Sequence, residues 1–391
     1  MKKNFKIAIY SGEVPSTTFI ERLIVGLSQR NHLIYLFGYQ KKKIAYKNKN
    51  ILIKSYSQSH FYKLFILLKY SALLFVFRNA EKKKLDKHIN TNSKFKMLSK
   101  IKYYPVLWYN PDIFHLQWAK SCSDWSWVQQ FGIKLVLSLR GAHINYSPIA
   151  NPDLAQTYRT YFPQVDGFHA VSKAMAAEAQ KYGANPDKIK VVYSGLPEID
   201  FSSNSKSQNK VFQILSVGRN HWKKGYNYAL DTMKILSDKG VDFRYTIIGA
   251  NDSEELEFQK SDLGLEKCVE FKGNIPFQEV QKIMYESDLV LLSSVEEGIA
   301  NVVLEAMQLG TLVLSTDCGG MNEVIENGIN GYTVPIRNPQ KMAEAIQKII
   351  LLSENERQKI TLEAQKTINQ NHTDAKLVSD MILLYKTVLN Q

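Results

Sequence analysis

The sequence predicts an α/β protein of two successive domains, each a parallel sheet covered by helices on both faces. Three observations carry that expectation. The chain has 391 residues, more than one hydrophobic core usually spans. Short β-branched and aliphatic runs alternate with helix-length stretches, the pattern of βα units. The alternation breaks at Ser202-Ser203-Asn204-Ser205-Lys206-Ser207-Gln208-Asn209, a polar stretch without periodicity, and then restarts. Residues 1–200 therefore form the expected first domain, 201–210 a linker, and 211–370 the second domain, with a last helix over 371–391.

In the first half the expected strands are Phe5–Tyr10, Leu33–Phe37, Ile51–Lys54, Ile113–Leu116, Lys134–Ser138, Gly167–Ala170 and Ile189–Val192. Helix-like stretches at Phe19–Gln29, Ser123–Gln130, Leu154–Tyr161 and Lys173–Tyr182 fall between several of them. The second half repeats the design. Strands are expected at Gln213–Val217, Tyr245–Ile248, Val269–Phe271, Leu289–Leu292 and Leu312–Ser315, with helices at Gly225–Asp238, Glu254–Leu263, Gln278–Glu286, Val302–Leu309 and Gln340–Leu352. Ligands of such sheets sit outside the carboxyl ends of the strands, so a cleft between two such domains is the expected active site.

Charge is unevenly spread. Residues 1–200 hold 30 Lys and Arg against 12 Asp and Glu, whereas 201–391 hold 20 against 25. Most of the excess falls in 41–104, where 17 basic residues face only Glu81 and Asp86. Inside that region Phe61–Phe77 is apolar and aromatic, interrupted by Lys63 and Lys69 and followed by Arg78 and Lys82-Lys83-Lys84. It is short for a membrane span of about 20 apolar residues. A helix of this kind suits a face resting on an anionic bilayer, and a core helix whose lysines reach outward is the alternative. Nucleic acid is not the expected partner, since the lysines lie in an apolar segment without a nucleic-acid motif. Cys122, Cys268 and Cys318 are far apart and form no CxxC pair, which fits a reducing cytosol and argues against a disulfide framework or a zinc knuckle. The apolar run Ile7-Ala8-Ile9-Tyr10 is too short for a signal-peptide core and reads as a first strand.

The densest chemistry follows the strand Asp288–Leu292. Ser293–Gly298 forms a loop, a helix opens at about Ala300, and Gly310 is placed to end it. Glu297 and Glu305 bracket the helix start, where free N–H groups and the positive helix end favour a phosphate. Other glycines and cations cluster at strand ends of the same domain: Gly218-Arg219 with Lys223-Lys224-Gly225, then Gly249, then Gly319-Gly320 with Glu323. An arginine fork and a lysine at neighbouring loops suit a diphosphate. On spacing alone, Asn301, Glu305 and Gln308 equally form a solvated helical stripe, and each glycine equally serves a turn.

The stretch Glu297–Gly310 resembles the E-x7-E signature of retaining glycosyltransferases, in particular family 4 of the GT-B fold. Val217-Gly218-Arg219 with Lys224-Gly225 is similar to that family's V-G-R…K-G pair, and Gly319-Gly320…Glu323…Gly328…Gly331 to its glycine trail. Val171-Ser172, Val192-Tyr193-Ser194-Gly195 and the loop Pro15-Ser16-Thr17-Thr18-Phe19-Ile20 resemble first-domain landmarks, the last of polysaccharide-building members. The resemblance implies two Rossmann-like domains facing each other across a cleft, with a final helix near Ala375–Leu389 crossing back to the first. It implies that Glu305 binds the nucleotide ribose and Glu297 the donor sugar. Gly298, Ile299 and Ala300, with Asn301 behind them, would offer N–H groups to sugar and phosphate, and Gly249, Gly319 and Gly320 would line the donor pocket. Arg219 and Lys224 would neutralise the diphosphate without a metal ion or other cofactor. No D-x-D motif stands out, Asp252-Ser253-Glu254 reading better as a helix start.

On the acceptor side the resemblance points to Ser16, Thr17, His115 and His143. Where the family often has a His-Gly pair, this sequence has Arg140-Gly141, with His143 two residues beyond. An arginine is no base near neutral pH, but it suits a phosphate or an acceptor carboxylate. His115 is equally placed to brace the site. The expected activity is transfer of a sugar, with retention, from a nucleotide-diphosphate sugar to a growing lipid-linked surface polysaccharide. The protein would work in the cytoplasm, peripheral on the inner face of the membrane. A nucleotide-sugar epimerase on the same fold and a non-catalytic glycan- or lipid-binding adaptor are the alternatives.

Overall fold

A computed structural model describes residues 4–199 and 211–390. The expected linker over 201–210 lies outside the described residues. The chain divides into two compact units: one takes in the chain up to Val171, Met175–Gly195 and everything from Asp374 on, the other Ser172–Ala174 and Leu196–Thr373.

The first unit carries seven strands, β1 (Lys6–Val14), β2 (Leu33–Gln40), β3 (Ile51–Ile53), β4 (Ile113–Leu116), β5 (Lys134–Leu139), β6 (Gly167–Ala170) and β7 (Ile189–Val191). They lie in the order β3-β2-β1-β4-β5-β6-β7 and every pair is parallel. Its helices are α1 (Thr18–Gln29), α2 (His60–Phe77), α3 (Asn79–Asn92), α4 (Lys96–Tyr109), the single turns α5 (Cys122–Trp125), α6 (Ala142–Asn145) and α7 (Ser147–Ala150), then α8 (Pro152–Tyr161) and α9 (Lys173–Gln180). Ile7, Ala8 and Ile9 of β1 are all buried, as expected of a parallel strand covered on both faces.

The second unit alternates up to its last pair of strands: β8 (Phe212–Val217), α10 (Tyr226–Asp238), β9 (Phe243–Ile248), α11 (Glu254–Asp262), β10 (Val269–Lys272), α12 (Phe277–Glu286), β11 (Leu289–Leu292), α13 (Asn301–Leu309), β12 (Leu312–Thr316) and β13 (Tyr332–Val334). The helices α14 (Pro339–Ile350) and α15 (Glu354–Asn371) complete it. Its sheet runs β10-β9-β8-β11-β12-β13, again all parallel. Both units are Rossmann-like. In each sheet the strand order reverses beside the first strand, between β1 and β4 and between β8 and β11, which makes those two gaps the switch points where ligands of open α/β sheets bind.

The last helix, α16 (Asp374–Leu389), belongs to the first unit. It buries Leu377, Val378, Met381, Leu384, Tyr385 and Val388, a helical stripe, against Ile20, Leu23, Ile24 and Leu27 of α1 and the sheet behind them. One expected helix differs. Ser123–Gln130 is not continuous but a turn of α-helix at Cys122–Trp125 followed by a 3₁₀ stretch at Ser126–Phe131. Trp125 and Trp127 are both fully buried. A regular α-helix would turn residues two apart to nearly opposite sides, so the chain changes its winding to bury both.

Candidate functional site

At the second unit's switch point, the loops leaving β8 and β11 are tied together by charge. The carboxylate of Glu297 accepts a hydrogen bond from Lys224 Nζ at 2.7 Å and one from Lys223 Nζ at 3.0 Å. Ser294 Oγ adds a longer bond to the same carboxylate at 3.4 Å. Backbone contacts fix the register of the loops: Val295 N–H donates to the Lys223 carbonyl at 2.7 Å, and Ser293 Oγ to the Lys224 carbonyl at 2.8 Å. Glu297 is buried. Burial works to raise its pKa, but the Lys224 and Lys223 ammonium groups outweigh it and hold the carboxyl below the usual range. The group is therefore an anion near neutral pH with both oxygens engaged.

The Gly319–Gly320 pair holds this loop from the other side. Gly320 N–H donates to the Gly298 carbonyl at 2.9 Å. Gly319 has φ +54°, and a Cβ there would lie 1.7 Å from the Glu297 carbonyl oxygen, so only glycine fits. Helix α13 starts as expected at Asn301, with Ala300 as N-cap, and ends at Gly310 in the left-handed region. Asn301 and Glu305, four residues apart, share one half-buried face of it. Arg219 follows β8 and is exposed.

Two donor-side expectations change. The Ala300 N–H is not offered outward: it points at Met321 Sδ, 3.4 Å away, and Ala300 is buried. Of the three expected N–H groups this leaves Gly298 and Ile299. Gly249 does not make room for a ligand either. Its N–H donates to the Lys272 carbonyl, its carbonyl accepts from Asn220 N–H, and the close approach is by the Gly218 carbonyl, 2.7 Å from where a Cβ would stand. The Asp252–Glu254 stretch is a helix start, with Ser253 Oγ accepting from Leu256 N–H to cap α11. Among the described residues no three His, Cys, Asp or Glu side chains cluster in a way that could hold a metal ion.

At the first unit's switch point lies a cavity of about 850 Å³. The end of β1 (Tyr10 to Glu13), the loop with Ser16 and Thr17, Lys41 and Lys42 after β2, and Trp118, Lys120 and His143 line it. Three of the acceptor-side candidates, Ser16, Thr17 and His143, thus come together. His143 packs edge-on against Trp118, and burial and the Lys120 charge push its pKa to about 4, so the imidazole is neutral near pH 7.

The other two do not join them. His115 is fully buried, with both ring nitrogens spent inside the core. Proton positions in that core follow by elimination. Burial keeps His169 neutral; its Nε2 faces the Val192 carbonyl at 3.0 Å and carries the proton, so Nδ1 accepts from Ser138 Oγ at 2.9 Å, a shorter bond than the alternative from Ser138 Oγ to Gln117 Oε1 at 3.4 Å. Ser138 then accepts from His115 Nε2 at 2.9 Å, and His115 Nδ1 accepts from the Tyr385 hydroxyl at 2.7 Å. The chain ties α16 to three strands, and burial lowers the His115 pKa to about 3. His115 braces the unit from within its core. Arg140 sits over the Phe19 ring at 4.5 Å and donates from Nη2 to Gln117 Oε1 at 3.2 Å, while its Nε has no partner among the described residues. It lines a narrow crevice with Phe19, His169 and Ser194, apart from the larger cavity. Burial lowers its pKa to about 9, which still leaves it a cation near pH 7.

Comparison with known proteins fits this geometry. Residues 16–198 match the profile described as Glycosyltransferase Family 4, and 198–367 that of Glycosyl transferases group 1. The chain belongs to the GT-B glycosyltransferases. It is similar to the amylovoran biosynthesis glycosyltransferase AmsK of Erwinia amylovora, 30% identical over 55% of each chain. It is also similar to the putative colanic acid biosynthesis glycosyltransferase WcaL of Salmonella typhimurium, 27% identical over 59% of each chain, and to that of Escherichia coli, 27% over 67%. The match to the first two thus spans little more than half of their own length. Among solved structures, a glycosyltransferase from Rickettsia africae superposes with a TM-score of 0.74 over 100% of both chains at 17% identity. Anabaena HepE, solved with UDP and glucose, superposes with a TM-score of 0.74 over 98% of this chain and 100% of its own, at 18% identity.

Within a GT-B frame, sequence reasoning passed over some residues that the geometry brings forward. Lys223, named in the cation cluster but given no role of its own, shares Glu297 with Lys224. Trp118, Lys41, Lys42 and Lys120 line the first-unit cavity. Of these, Trp118 was detectable as an aromatic two residues past the carboxyl end of β4.

Proposed function

We propose that this GT-B protein is a retaining, metal-independent glycosyltransferase that moves a sugar from a nucleotide-diphosphate sugar to a growing, lipid-linked surface polysaccharide. The observation that carries the proposal is the Lys223–Glu297–Lys224 cluster at the β8/β11 switch point, one helical segment away from Glu305. As the glycosidic bond breaks, negative charge grows on the departing diphosphate. Cations already held in place lower that barrier without reorganising. Lys223 and Lys224 are such cations, and Arg219, exposed at the end of β8, is a third within the same group of loops. Together they do the work that a divalent ion does elsewhere. Glu305 takes the ribose hydroxyls, and the Gly298 and Ile299 N–H groups serve sugar or phosphate.

Retention rests on the resemblance of Glu297–Gly310 to the retaining family's signature, and the state of Glu297 bears on the route. A double-displacement route needs a carboxylate free to attack the anomeric carbon. Glu297 meets ammonium groups in the free protein and, by the resemblance, sugar hydroxyls once the donor is bound, so among retaining routes attack by the acceptor on the same face as the departing phosphate is the better supported. The first unit's cavity takes the acceptor, with Trp118 as a stacking platform for a sugar ring and Ser16 and Thr17 as hydroxyl partners. The polysaccharide role rests on the relatives named for amylovoran and colanic acid, and the nucleotide sugar on the UDP complex of Anabaena HepE.

The test is a ligand-observed NMR screen of UDP-, GDP-, ADP- and dTDP-sugars, followed by product analysis with the donor that binds. An α-linked donor should yield an α-linked product, at a rate unaffected by EDTA. A β-linked product would sink retention, and loss of turnover in EDTA would sink metal independence. Absence of any nucleotide binding, with Glu305→Ala indistinguishable from the parent, would sink the transferase reading itself.

A further inference from the structure

Helix α2 inverts the usual surface pattern. Only Ile66, Tyr70 and Leu74 of its 18 residues are buried, a stripe against α4 reinforced by the hydrogen bond from Tyr70 to Tyr109 at 3.1 Å. The opposite side should be polar in a water-facing helix. It is instead apolar. At about 100° per residue, Phe61, Phe65, Leu68 and Phe75 fall on one line facing away from the buried stripe. Their exposures are 88%, 57%, 60% and 61%, and Leu64 and Val76 flank them at 46% and 67%. An exposed apolar patch of this extent marks an interaction surface.

Charge identifies what it meets. Lys69 on α2, Lys83 and Lys87 on α3, and Lys94 and Lys96 at the entry to α4 are all exposed. The only two acids between residues 41 and 104 are already neutralised, Glu81 by Arg78 and Asp86 by Lys82 and Lys100. An apolar ridge in so basic and weakly compensated a segment matches an anionic bilayer, whose headgroups take the lysines while the acyl boundary takes the aromatic side chains.

We propose that the outward face of α2 docks flat on an anionic membrane, sinking Phe61, Phe65, Leu68 and Phe75 to the level of the acyl chains. The helix does not cross. Its inner stripe stays packed on α4, and Lys69 stands halfway along it. The docking is independent of whether the protein transfers sugar, and it fits the transferase by bringing the first unit to a lipid-linked acceptor.

The test is flotation of the full chain with vesicles of phosphatidylcholine alone or mixed with phosphatidylglycerol. Binding should appear only with the mixed vesicles, weaken as salt is raised, and be stripped by alkaline carbonate. Phe65→Asp with Leu68→Asp should reduce it roughly tenfold or more while leaving nucleotide binding intact, since both side chains already face water and their loss leaves the core unchanged. Glu305→Ala should float like the parent, which separates failure of this proposal from failure of the transferase reading. Three outcomes would overturn flat docking: no flotation with anionic vesicles, equal flotation of the double variant, or a fraction resistant to carbonate. A dimer in solution that the double variant dissolves, without vesicle binding, would assign the face to a second copy of the chain.

Discussion

Replacing Glu297 by Gln keeps shape and volume and removes one charge, so its effect reads the lysine cluster directly. The carboxylate holds Lys224 Nζ at 2.7 Å and Lys223 Nζ at 3.0 Å, with the two lysine side chains 14% and 12% exposed. A hydrogen bond to a charged group contributes about 1.5–3 kcal/mol, so losing both outright would cost about 3–6 kcal/mol. The amide retains one carbonyl oxygen for one lysine, and the lysines reach some water. That brings the expected loss to roughly 2–3 kcal/mol. For a domain of this size, each kcal/mol lowers Tm by about 2–4 °C, so calorimetry should show the second unit melting roughly 4–12 °C lower. The effect depends on pH with a definite sign. The lysines outweigh burial and hold the Glu297 pKa below its unfolded value of about 4.3. Its stabilisation is therefore complete above that value and is lost as pH falls through the lower, folded pKa. Parent and variant should differ fully near pH 7 and converge as acid protonates the folded carboxyl. Equal melting near pH 7, or a gap that widens in acid, would refute a buried, doubly paired carboxylate.

Three other substitutions probe separate links. Arg219→Ala should weaken nucleotide-diphosphate affinity by roughly tenfold or more, the loss of a charge-assisted bond of about 1.5–3 kcal/mol; titration calorimetry showing unchanged affinity would remove Arg219 from the site. Gly319→Ala puts a methyl group 1.7 Å from the Glu297 carbonyl oxygen. It should cost about 1–3 kcal/mol by overpacking and lower nucleotide affinity with it, whereas a normally folded, normally binding variant would mean the loop moves freely. Tyr385→Phe leaves His115 Nδ1 buried without its donor and should cost about 1–3 kcal/mol in urea denaturation. Nucleotide affinity should not change, and a drop in affinity instead would show that the buried chain reaches beyond the first unit.

The fold was readable wherever one element repeated a simple pattern. All twelve strands expected from β-branched runs are present, most within a residue or two at their ends, because buried parallel strands leave an unmistakable aliphatic signature. What escaped was structure whose sequence speaks with two voices. Helix α3 buries only Leu85 and Ile89 among lysines, and α4 carries Pro105, so neither shows a clean helical period. The short strand β13, with one buried residue of three, has too little pattern to read. The site was legible to the same degree. Backbone requirements such as Gly310 and the Gly319-Gly320 pair show in sequence, because few other residues tolerate those positions. Partnerships between distant side chains do not. Nothing in sequence placed His115 on Tyr385, 270 residues away, or set two lysines on Glu297.

That last pairing bears on how the donor enters. By resemblance, Glu297 should meet hydroxyls of the donor sugar, yet both its oxygens are occupied by lysines. The two statements agree if the diphosphate takes the lysines over. With one carboxylate against two ammonium groups, the cluster carries an excess positive charge, and a diphosphate brings more negative charge than the carboxylate it displaces. Lys223 and Lys224 then turn to phosphate, and the released Glu297 oxygens accept from sugar hydroxyls. On that reading Glu297 is a placeholder for the substrate's charge. Binding and turnover should consequently separate in Glu297→Gln. Without a competing anion, affinity for the free nucleotide diphosphate should rise several-fold, while turnover of the nucleotide sugar falls because the sugar loses its acceptor. If nucleotide affinity falls together with turnover, Glu297 positions the lysines throughout the cycle and no exchange of partners takes place.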